Sequence, residues 1–322
     1  MFDFGDKMKT LILNSTNIKP ATNNSNLVYR FPTSIVLQEG QKLALTSFSM
    51  YNSTFNITAV NQNNILEYIW FNGQTYTITF PDGYYDITAI NNYIHSVMLA
   101  NGHYCVQTSN NYYVYFLTVT TNTTYYSVEL NSFGLNQTLA TAKGWTLPPN
   151  PNWTIPTITT QYIYPMFNIL NNNFTQIIGL NAGYYPLGTA QATITTNGTT
   201  SWTQPTTANA PYGNTSVVSF GSTFVPQVTP VASYTITCSL INNKYSVPNS
   251  LLYSFGIPQS ATFGSYFTIQ PPQMSFIDVL AGTYSEFLIQ ILDQNLRPVN
   301  IQDPQIVILL NISDPNEHGI MK

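Results

Sequence analysis

The sequence predicts an all-β fold of the sandwich or jelly-roll type. Apolar and polar residues alternate with a period of two in many short segments along the 322-residue chain. Asn, Gly, Pro and Ser separate these segments, as expected for turns between strands. No segment repeats at a fixed period, which argues against a solenoid or a propeller. Many short strands joined by turn residues are typical of sandwiches and jelly rolls.

The strand predictions follow from this alternation. The first five are Lys9–Asn14, Asn26–Phe31, Lys42–Met50, Ile65–Phe71 and Gln74–Phe80. Asn72-Gly73 lies between the last two, and Asn-Gly between alternating segments is a strong β-hairpin signal. Further strands are predicted at Tyr112–Thr118, Thr124–Leu130, Tyr162–Leu170, Ser233–Ile241, Tyr266–Gln270, Phe276–Leu280, Phe287–Leu292 and Gln305–Ile312.

One short amphipathic helix is predicted among these strands. Asp86 is a suitable N-cap residue, and apolar residues then recur every three or four positions. They are Ile87, Ile90, Ile94, Val97 and Met98. Asn101-Gly102 supplies a stop signal. We expect this helix to pack on one edge or end of the sandwich.

Two segments are predicted to be loops or insertions. Residues 131–160 are rich in Pro and contain Trp145 and Trp153, and residues 188–222 are rich in Thr, Asn and Gly and contain Trp202. Some β structure is expected within the second segment. Long loops in a compact domain usually bind something or pack on a neighbour. The expected framework domain is therefore discontinuous and consists of residues 1–187 and 223–322.

Charged residues make up only 7% of the chain, compared with about 25% in a typical soluble domain. The formal net charge of −4 gives no basic surface for nucleic acid. Between Glu129 and Asp278 the only charged residues are Lys143 and Lys244. Protein interfaces are depleted in Lys and Glu and enriched in Tyr. The composition therefore favours a surface covered by neighbouring proteins, and an exposed sugar-binding or adhesive surface is the alternative.

Disorder and membrane insertion are also disfavoured. Aromatic residues reach 14%, which is too many for a typical disordered chain. The longest purely apolar stretch, Ile306–Leu310, is far shorter than a membrane span. The start of the sequence, MFDFGDKMKT, lacks the basic and apolar regions of a signal peptide.

No catalytic, cofactor-binding or metal-binding constellation is predicted, so we expect that the protein is not an enzyme. His95, His103 and Cys105 are spaced too loosely for a zinc site. No Ser or Thr has a credible His partner for nucleophilic catalysis. Cys105 and Cys238 lie in alternating segments and are expected to be buried free thiols. The C-terminal carboxylates are interpreted as structural rather than as cation ligands: Asp278, Glu286, Asp293 and Asp303.

Aromatic residues near the predicted loops are the candidate contact residues. Three roles stay open for them: stacking on sugar rings, anchoring an interface between subunits, or forming a local core beneath each insertion. These candidates are Trp145, Trp153, Trp202, Tyr184, Tyr185 and Tyr212.

Arg297, one of only two arginines, is a candidate structural charge. We predict that its guanidinium pairs with a carboxylate or with turn carbonyls, because an isolated cation in so neutral a chain should be held.

Several blocks of the sequence resemble one protein family in the same order along the chain. The most distinctive is PDGYYDITAINNYIHSVMLANG (Pro81–Gly102), which joins an Asp-Gly turn to a capped amphipathic helix. Further similar blocks are Thr121–Phe133, Gly144–Pro148, Phe174–Pro186, Phe224–Phe255 and Val279–Ile312. The family is the penton-type minor capsid proteins of icosahedral double-stranded DNA viruses of the double jelly-roll lineage, which includes giant viruses, virophages and Polinton-like elements. The Thr-rich segment around Trp202 has no counterpart.

This resemblance implies a structural virion protein with a single jelly roll. It implies a homopentamer that occupies the fivefold vertices and contacts the major capsid protein, after assembly in the host cytoplasm or a viral factory. Insertions between strands would then project outward, where a host receptor or a vertex fibre could attach. The alternative function is a carbohydrate-binding or host-adhesion module that uses the loop Trp and Tyr residues. Neither function requires a cofactor.

Overall fold

The computed structural model describes residues 8–20, 24–159, 161–186, 216–229 and 231–313, and the backbone of two strands at 192–194 and 200–202. Strands account for 43% of the structure and helices for 10%, which confirms the predicted all-β class. Within the described ranges, no helix is long and apolar enough to cross a membrane.

The chain divides into two compact units. Unit 1 consists of Met1–Phe55 and Val231–Lys322, and unit 2 is Asn56–Pro230. These bounds differ from the expected framework of residues 1–187 and 223–322. The strands in residues 56–187 show the same alternation of apolar and polar residues as the strands of unit 1. The sequence pattern within a strand therefore does not show to which unit the strand belongs. Most of the expected insertion, residues 188–222, lies outside the described residues.

Unit 1 is a two-sheet sandwich. Its described strands are β1 (Lys9–Leu13), β2 (Ile18–Pro20), β3 (Asn26–Leu37), β4 (Lys42–Tyr51), β17 (Ser233–Cys238), β18 (Leu251–Gly256), β19 (Tyr266–Ile269), β20 (Ile277–Asp278), β21 (Gly282–Leu292) and β22 (Val307–Ser313). One sheet has the order β1-β22-β4-β19, with β20 also paired to β4, and the other has the order β18-β17-β21-β3-β2.

The strand order of unit 1 is that of a jelly roll. Strands from the two ends of the chain lie side by side: β1 and β4 flank β22, while β3 and β17 flank β21. Without the short β2 and β20, each sheet has four antiparallel strands. Eight strands in two such sheets, connected as two Greek keys, define the jelly roll. The predicted jelly-roll sandwich is therefore confirmed.

Alternate residues of the two sheets form the core of unit 1. In β4, Leu43, Leu45, Phe48 and Met50 are buried, and their alternation shifts where a bulge interrupts the pairing with β22. Apolar residues of β17 and β21 meet them from the other sheet, including Ile236, Ile289 and Ile291. Burial of these side chains supplies most of the driving force for closing the sandwich.

The described residues of unit 2 form short sheets and three helices. Its strands are β5 (Ile65–Ile69), β6 (Thr75–Thr79), β7 (Cys105–Gln107), β8 (Tyr112–Val114), β9 (Leu117–Asn122), β10 (Ser127–Phe133), β11 (Trp145–Thr146), β12 (Met166–Ile169), β13 (Gly183–Tyr185), β14 (Ala192–Ile194), β15 (Thr200–Trp202) and β16 (Val217–Gly221). They form the sheets β13-β12-β5-β6, β16-β10-β9, β11-β7-β8 and β14-β15. The helices are α1 (Ile87–Ala100), α2 (Gln137–Lys143) and α3 (Phe174–Ile178).

The predicted hairpin and helix are both confirmed. β5 and β6 pair antiparallel, and the connection is a three-residue turn in which Gly73 takes a positive φ of 76°. Asp86 caps α1 by accepting a hydrogen bond from the backbone N–H of Ala89 (2.6 Å). The helix ends at Ala100, where Gly102 adopts φ 70°.

The prediction of a single helix was wrong. α2 lies inside the segment expected to be a loop, residues 131–160, and α3 lies in the block after β12. Asn136 caps α2 by accepting a hydrogen bond from the N–H of Leu139 (2.7 Å), and Gly144 ends the helix with φ 65°. Helices this short show less than two turns of apolar periodicity, so the 3.6-residue pattern is not visible in the sequence.

Candidate interaction surface

The two tryptophans of residues 131–160 contact the core of unit 2. Trp153 is buried, with its ring centroid 5.2 Å from that of Trp70 and 5.5 Å from that of Phe71. Its Nε1 donates a hydrogen bond to the carbonyl of Gly102 (2.7 Å). Trp145, on β11, is half-buried and packs against the same core. Of the three roles left open, these contacts match a local core beneath the segment.

Of the other four aromatic candidates, two are buried or half-buried in unit 2 and two lie outside the described residues. Tyr185 of β13 is buried, and its hydroxyl donates to the carbonyl of Asn181 (2.9 Å). Tyr184 is half-buried beside Ile69 and Met166. The side chain of Trp202 and the whole of Tyr212 lie outside the described residues, so their contact role stays a prediction.

Arg297 pairs with a carboxylate, which confirms that prediction. Its Nη2 and Nε lie 2.9 and 3.0 Å from Oδ2 of Asp293. The other carboxylate oxygen accepts the backbone N–H groups of Asn295 (2.8 Å) and Arg297 (2.9 Å). Asp293 is buried, whereas the guanidinium is largely exposed. The pair therefore holds the turn that follows β21.

The outward-facing side of the β1-β22-β4-β19 sheet is free of charge across its width. Thr10 of β1 donates to Oδ1 of Asn311 on β22 (2.8 Å). Nδ2 of Asn311 lies 3.8 Å from the sulfur of Met8 and 3.9 Å from that of Met274. Among the described residues, charges flank this face only at strand ends. They are Lys9 on β1, Lys42 on β4 and Asp278 on β20.

Both edges of this uncharged face carry exposed apolar side chains. Ile12 on the edge strand β1 is 53% exposed, and Tyr266 on the opposite edge strand β19 is 51% exposed. The ring centroid of Tyr266 lies 5.0 Å from that of Tyr51 on β4. The two exposed side chains therefore lie at opposite edges of the same sheet.

The second sheet of unit 1 carries a polar groove instead. Nε of Arg30 on β3 lies 2.9 Å from Oε2 of Glu286 on β21, and both side chains are at least half exposed. An ion pair so exposed contributes about 0–1 kcal/mol. The two residues line an open groove of about 380 Å³ with Asn17, Lys19, Pro20 and Val28.

The described ionisable side chains form no metal-binding cluster, and the two thiols are not nucleophiles. In the part of the chain that the structure describes, no three His, Cys, Asp or Glu side chains are placed to hold a metal ion. Cys105 and Cys238 are buried free thiols, as predicted. Burial raises the pKa of each thiol to about 12. Neither is therefore a thiolate nucleophile at neutral pH.

His103 is a fully buried structural residue. Its Nδ1 lies 2.7 Å from the hydroxyl of Tyr68, which also accepts a hydrogen bond from Nδ2 of Asn101 (3.0 Å). The fewest polar groups are left unsatisfied when Tyr68 donates to Nδ1, which places the imidazole proton on Nε2. Burial lowers the pKa of His103 to about 4, although Asn152 lies close enough to oppose this shift. Nε2 itself has no well-formed hydrogen bond.

Four exposed tyrosines of unit 2 were not among the predicted contact residues. Tyr112 and Tyr113 lie on β8, an edge strand, and Tyr125 and Tyr126 lie between β9 and β10. Each of these residues was included in a predicted strand, where one of two adjacent side chains normally points inward. The available signal was the pairing of two tyrosines directly after a polar turn, in SNNYY and TNTTYY.

No protein-family model matches the chain, and no curated protein matches it in sequence. Among the solved structures that are similar to it are two from virophages. The crystal structure of the selenomethionine-labelled mavirus penton protein has 11% identity and a TM-score of 0.42, covering 95% of this chain and 97% of the mavirus chain. The 3.5 Å cryo-EM structure of the Sputnik virophage has 13% identity and a TM-score of 0.34, covering 94% of this chain and 97% of the matched chain.

Proposed function

We propose that this chain is a penton-type minor capsid protein, a structural subunit that forms homopentamers at the fivefold vertices of an icosahedral virion. The observation that carries the proposal is the jelly roll of unit 1, assembled from the two ends of the chain. Jelly rolls occur in viral capsids, lectins and cupins. The blocks that resemble penton proteins, beginning with Pro81–Gly102, favour the first of these.

The charge distribution of unit 1 supports an assembly role. Protein interfaces are depleted in Lys, Glu and Asp, and the outward face of the β1-β22-β4-β19 sheet has these residues only at its ends. Removing an uncharged face from water avoids the large desolvation cost of charged groups. In this proposal the major capsid protein contacts other surfaces of the same subunit.

The two edges of the sheet supply two different contact surfaces. A closed ring is built from heterologous contacts, in which each subunit presents one surface to the neighbour on its left and another to the neighbour on its right. We assign the β1 edge, with Ile12, to one of these surfaces and the β19 edge, with Tyr266, to the other. Unit 2, inserted between β4 and β17, is then the part available to a host receptor or a vertex fibre.

The mass of the purified chain in solution tests this proposal. Native mass spectrometry should give five times the chain mass of 36.0 kDa, and negative-stain images should show closed rings. Ile12→Lys and Tyr266→Lys should each convert the rings to smaller species, because each places a charge at one contact surface. Val36→Lys is the matched control, since Val36 is also exposed but lies on β3 of the other sheet. A wild-type monomer at micromolar concentration would overturn the proposal, and rings that survive both edge substitutions would overturn the assigned surfaces.

Two of the candidate contact residues, Trp153 and Tyr185, give no support to the alternative of a carbohydrate-binding module. Trp153 and Tyr185 are buried in unit 2, and a buried ring has no face to offer a sugar.

A further inference from the structure

The two edge strands of the β1-β22-β4-β19 sheet each have a side that no described strand covers. β1 pairs with β22 alone, and β19 pairs with β4 alone. Successive residues of a strand point their N–H and C=O groups alternately to its two sides. The outer side of each edge strand therefore presents hydrogen-bonding groups that water or another chain must satisfy.

The outward-pointing residues of β1 are Thr10 and Ile12. The carbonyl of Ile12 accepts a hydrogen bond from Nδ2 of Asn17 (2.7 Å), a residue that belongs to no strand. This carbonyl therefore does not serve the pairing with β22. Because the direction alternates along the strand, Thr10 also points its main-chain groups away from the sheet.

The outward-pointing residues of β19 are Tyr266 and Thr268. The N–H of Asn52, directly after β4, donates to the carbonyl of Ser265, directly before β19 (2.9 Å). The main-chain groups of Ser265 and Phe267 therefore face β4, and those of the residues between and after them face outward.

The same four residues point their side chains to the uncharged outer face of the sheet. Thr10, Ile12, Tyr266 and Thr268 are all exposed, whereas the alternate residues of both strands pack towards the core. Opposite residues of paired strands have their side chains on one face. If β1 of one copy pairs with β19 of another, the outer face and the core side both continue across the junction. A mismatch at either edge would turn the outer face of one copy to the core side of the next.

The directions and lengths of the two strands also match. All three strand pairs between β1 and β19 are antiparallel, so these edge strands run in opposite directions. A rotation about a ring axis that brings β19 of one copy beside β1 of the next therefore makes an antiparallel pair, which is slightly more stable per residue than a parallel one. β1 has five residues and β19 has four.

The edges of the second sheet are protected against such pairing. Free edges are commonly blocked by Pro, Lys or a bulge. β2 contains Lys19 and Pro20, β3 contains Pro32 and leaves residues 31–34 out of its pairing with β21, and a bulge interrupts the pairing of β18 with β17. β1 and β19 contain no Pro and pair without a register shift, and their one charge is Lys9, the first residue of β1.

We propose that β1 of each subunit forms main-chain hydrogen bonds with β19 of the neighbouring subunit, so that the uncharged sheet continues from one copy of the chain to the next. This inference rests on the proposed ring and specifies the bonds that close it. The carbonyl of Ile12 keeps its bond to Asn17. The N–H of Ile12 and both main-chain groups of Thr10 then bond to Tyr266 and Thr268 of the next copy.

A proline substitution tests the main-chain bonds separately from the side chains. Thr268→Pro removes an outward N–H, and an edge strand tolerates proline where its N–H faces solvent. Thr268→Val is the matched control, because it keeps the N–H and removes only the hydroxyl that lies 2.9 Å from that of Ser49. In native mass spectrometry at micromolar concentration, Thr268→Pro should lower the pentamer fraction by roughly tenfold or more, because every junction of the ring loses a hydrogen bond. Thr268→Val should assemble as wild type does.

Amide hydrogen exchange tests the same bonds without proline. Exchange of β1 is compared between wild-type rings and Tyr266→Lys, and exchange of β19 between wild-type rings and Ile12→Lys, so that the measured strand is unaltered in each case. Both strands should exchange at least about fivefold more slowly in the rings, because paired amides are protected from solvent. Residues 31–37 of β3 are the internal reference and should exchange equally in all three proteins.

The outcomes separate this inference from the penton proposal. Wild-type rings that persist in Thr268→Pro, or equal exchange of β1 and β19 in rings and in smaller species, would overturn the inference and leave the penton proposal standing. A wild-type monomer would overturn both. A wild-type dimer would indicate that an edge pairs with its own copy around a twofold axis, and it would also overturn both.

Discussion

Arg297 and Asp293 are joined through both oxygens of the carboxylate. Oδ2 receives Nη2 and Nε of the guanidinium, and Oδ1 receives the backbone N–H of Arg297 itself. The carboxylate is buried and the guanidinium is exposed. Asp293 is therefore more important for the turn than the Arg297 side chain. Its carboxylate accepts backbone N–H groups as well as the guanidinium, whereas the guanidinium contacts only the carboxylate in these bonds.

Substitutions at this pair should show that inequality. We expect Asp293→Ala to lower the free energy of unfolding by about 1–3 kcal/mol, because it leaves two part-buried backbone N–H groups, those of Asn295 and Arg297, without their acceptor. Arg297→Gln should lower it by only about 0.5–1 kcal/mol, because the exposed guanidinium is screened by solvent. Urea unfolding of both variants measures the two values. Melting and assembly unchanged by Arg297→Gln would show that this arginine is merely solvated.

Trp153→Ala should destabilise unit 2 by about 3–5 kcal/mol, because it leaves a cavity beside Trp70 and Phe71 and removes the donor to Gly102. Tyr125→Ala, at an exposed site in the same unit, should change stability by no more than about 0.5 kcal/mol. Thermal melting followed by tryptophan fluorescence compares them. A Trp153→Ala protein that melts normally but fails to assemble would restore the interface role for this residue.

Acid should weaken unit 2 through His103. The folded pKa is about 4 and the ordinary value is 6.5. Between these pH values the unfolded chain binds a proton that the folded chain does not, so stability falls as pH drops from 6.5 to 4. At 1.36 kcal/mol per pKa unit the full effect is about 3 kcal/mol. Burial also lowers the pKa of His95, which adds to the effect in the same direction.

The measurement for His103 is the unfolding free energy in urea at pH 7 and pH 4.5. His103→Gln should be less stable at pH 7, yet lose less stability than wild type on acidification. The rings packed around the imidazole are those of Tyr68, Tyr76 and Trp70. An equal acid loss in wild type and variant would show that other groups are responsible.

The two thiols should be inert in the native protein. Cys105 and Cys238 are buried with pKa values of about 12, so neither thiolate nor access is available at pH 8. A disulfide-exchange reagent such as DTNB should label neither in buffer and both in 6 M guanidinium. Because the cysteines lie in different units, fast labelling of only one would identify the unit that opens.

Features that depend on neighbouring residues could be predicted from the sequence. The capping of α1 by Asp86 and the turn at Asn72-Gly73 arise from hydrogen bonds and backbone preferences within a few residues. The burial of Cys105 and Cys238 also followed from the alternation around them. The partner of Arg297 was predicted only as a carboxylate or carbonyl, and its proximity to Asp293, four residues earlier, depends on the turn between them.

Other features depend on contacts that local pattern does not specify. Trp153 lies in a Pro-rich segment that is expected to be a loop, and its burial results from Trp70 and Phe71, some 80 residues earlier. Tyr104 and Tyr113 come together because β7 and β8 pair.

By itself, the sequence determined the all-β class, most strand positions, the capped helix and the low charge of the surface, because period, caps and composition are local or additive properties. Only the tertiary structure decided which strands pair, as when Arg30 of β3 lies opposite Glu286 of β21 across more than 250 residues. It also decided that residues 56–230 form a unit of their own. The strands of both units show the same alternation of apolar and polar residues. Which strands pair is therefore determined by side-chain packing between distant segments rather than by the sequence of each strand alone.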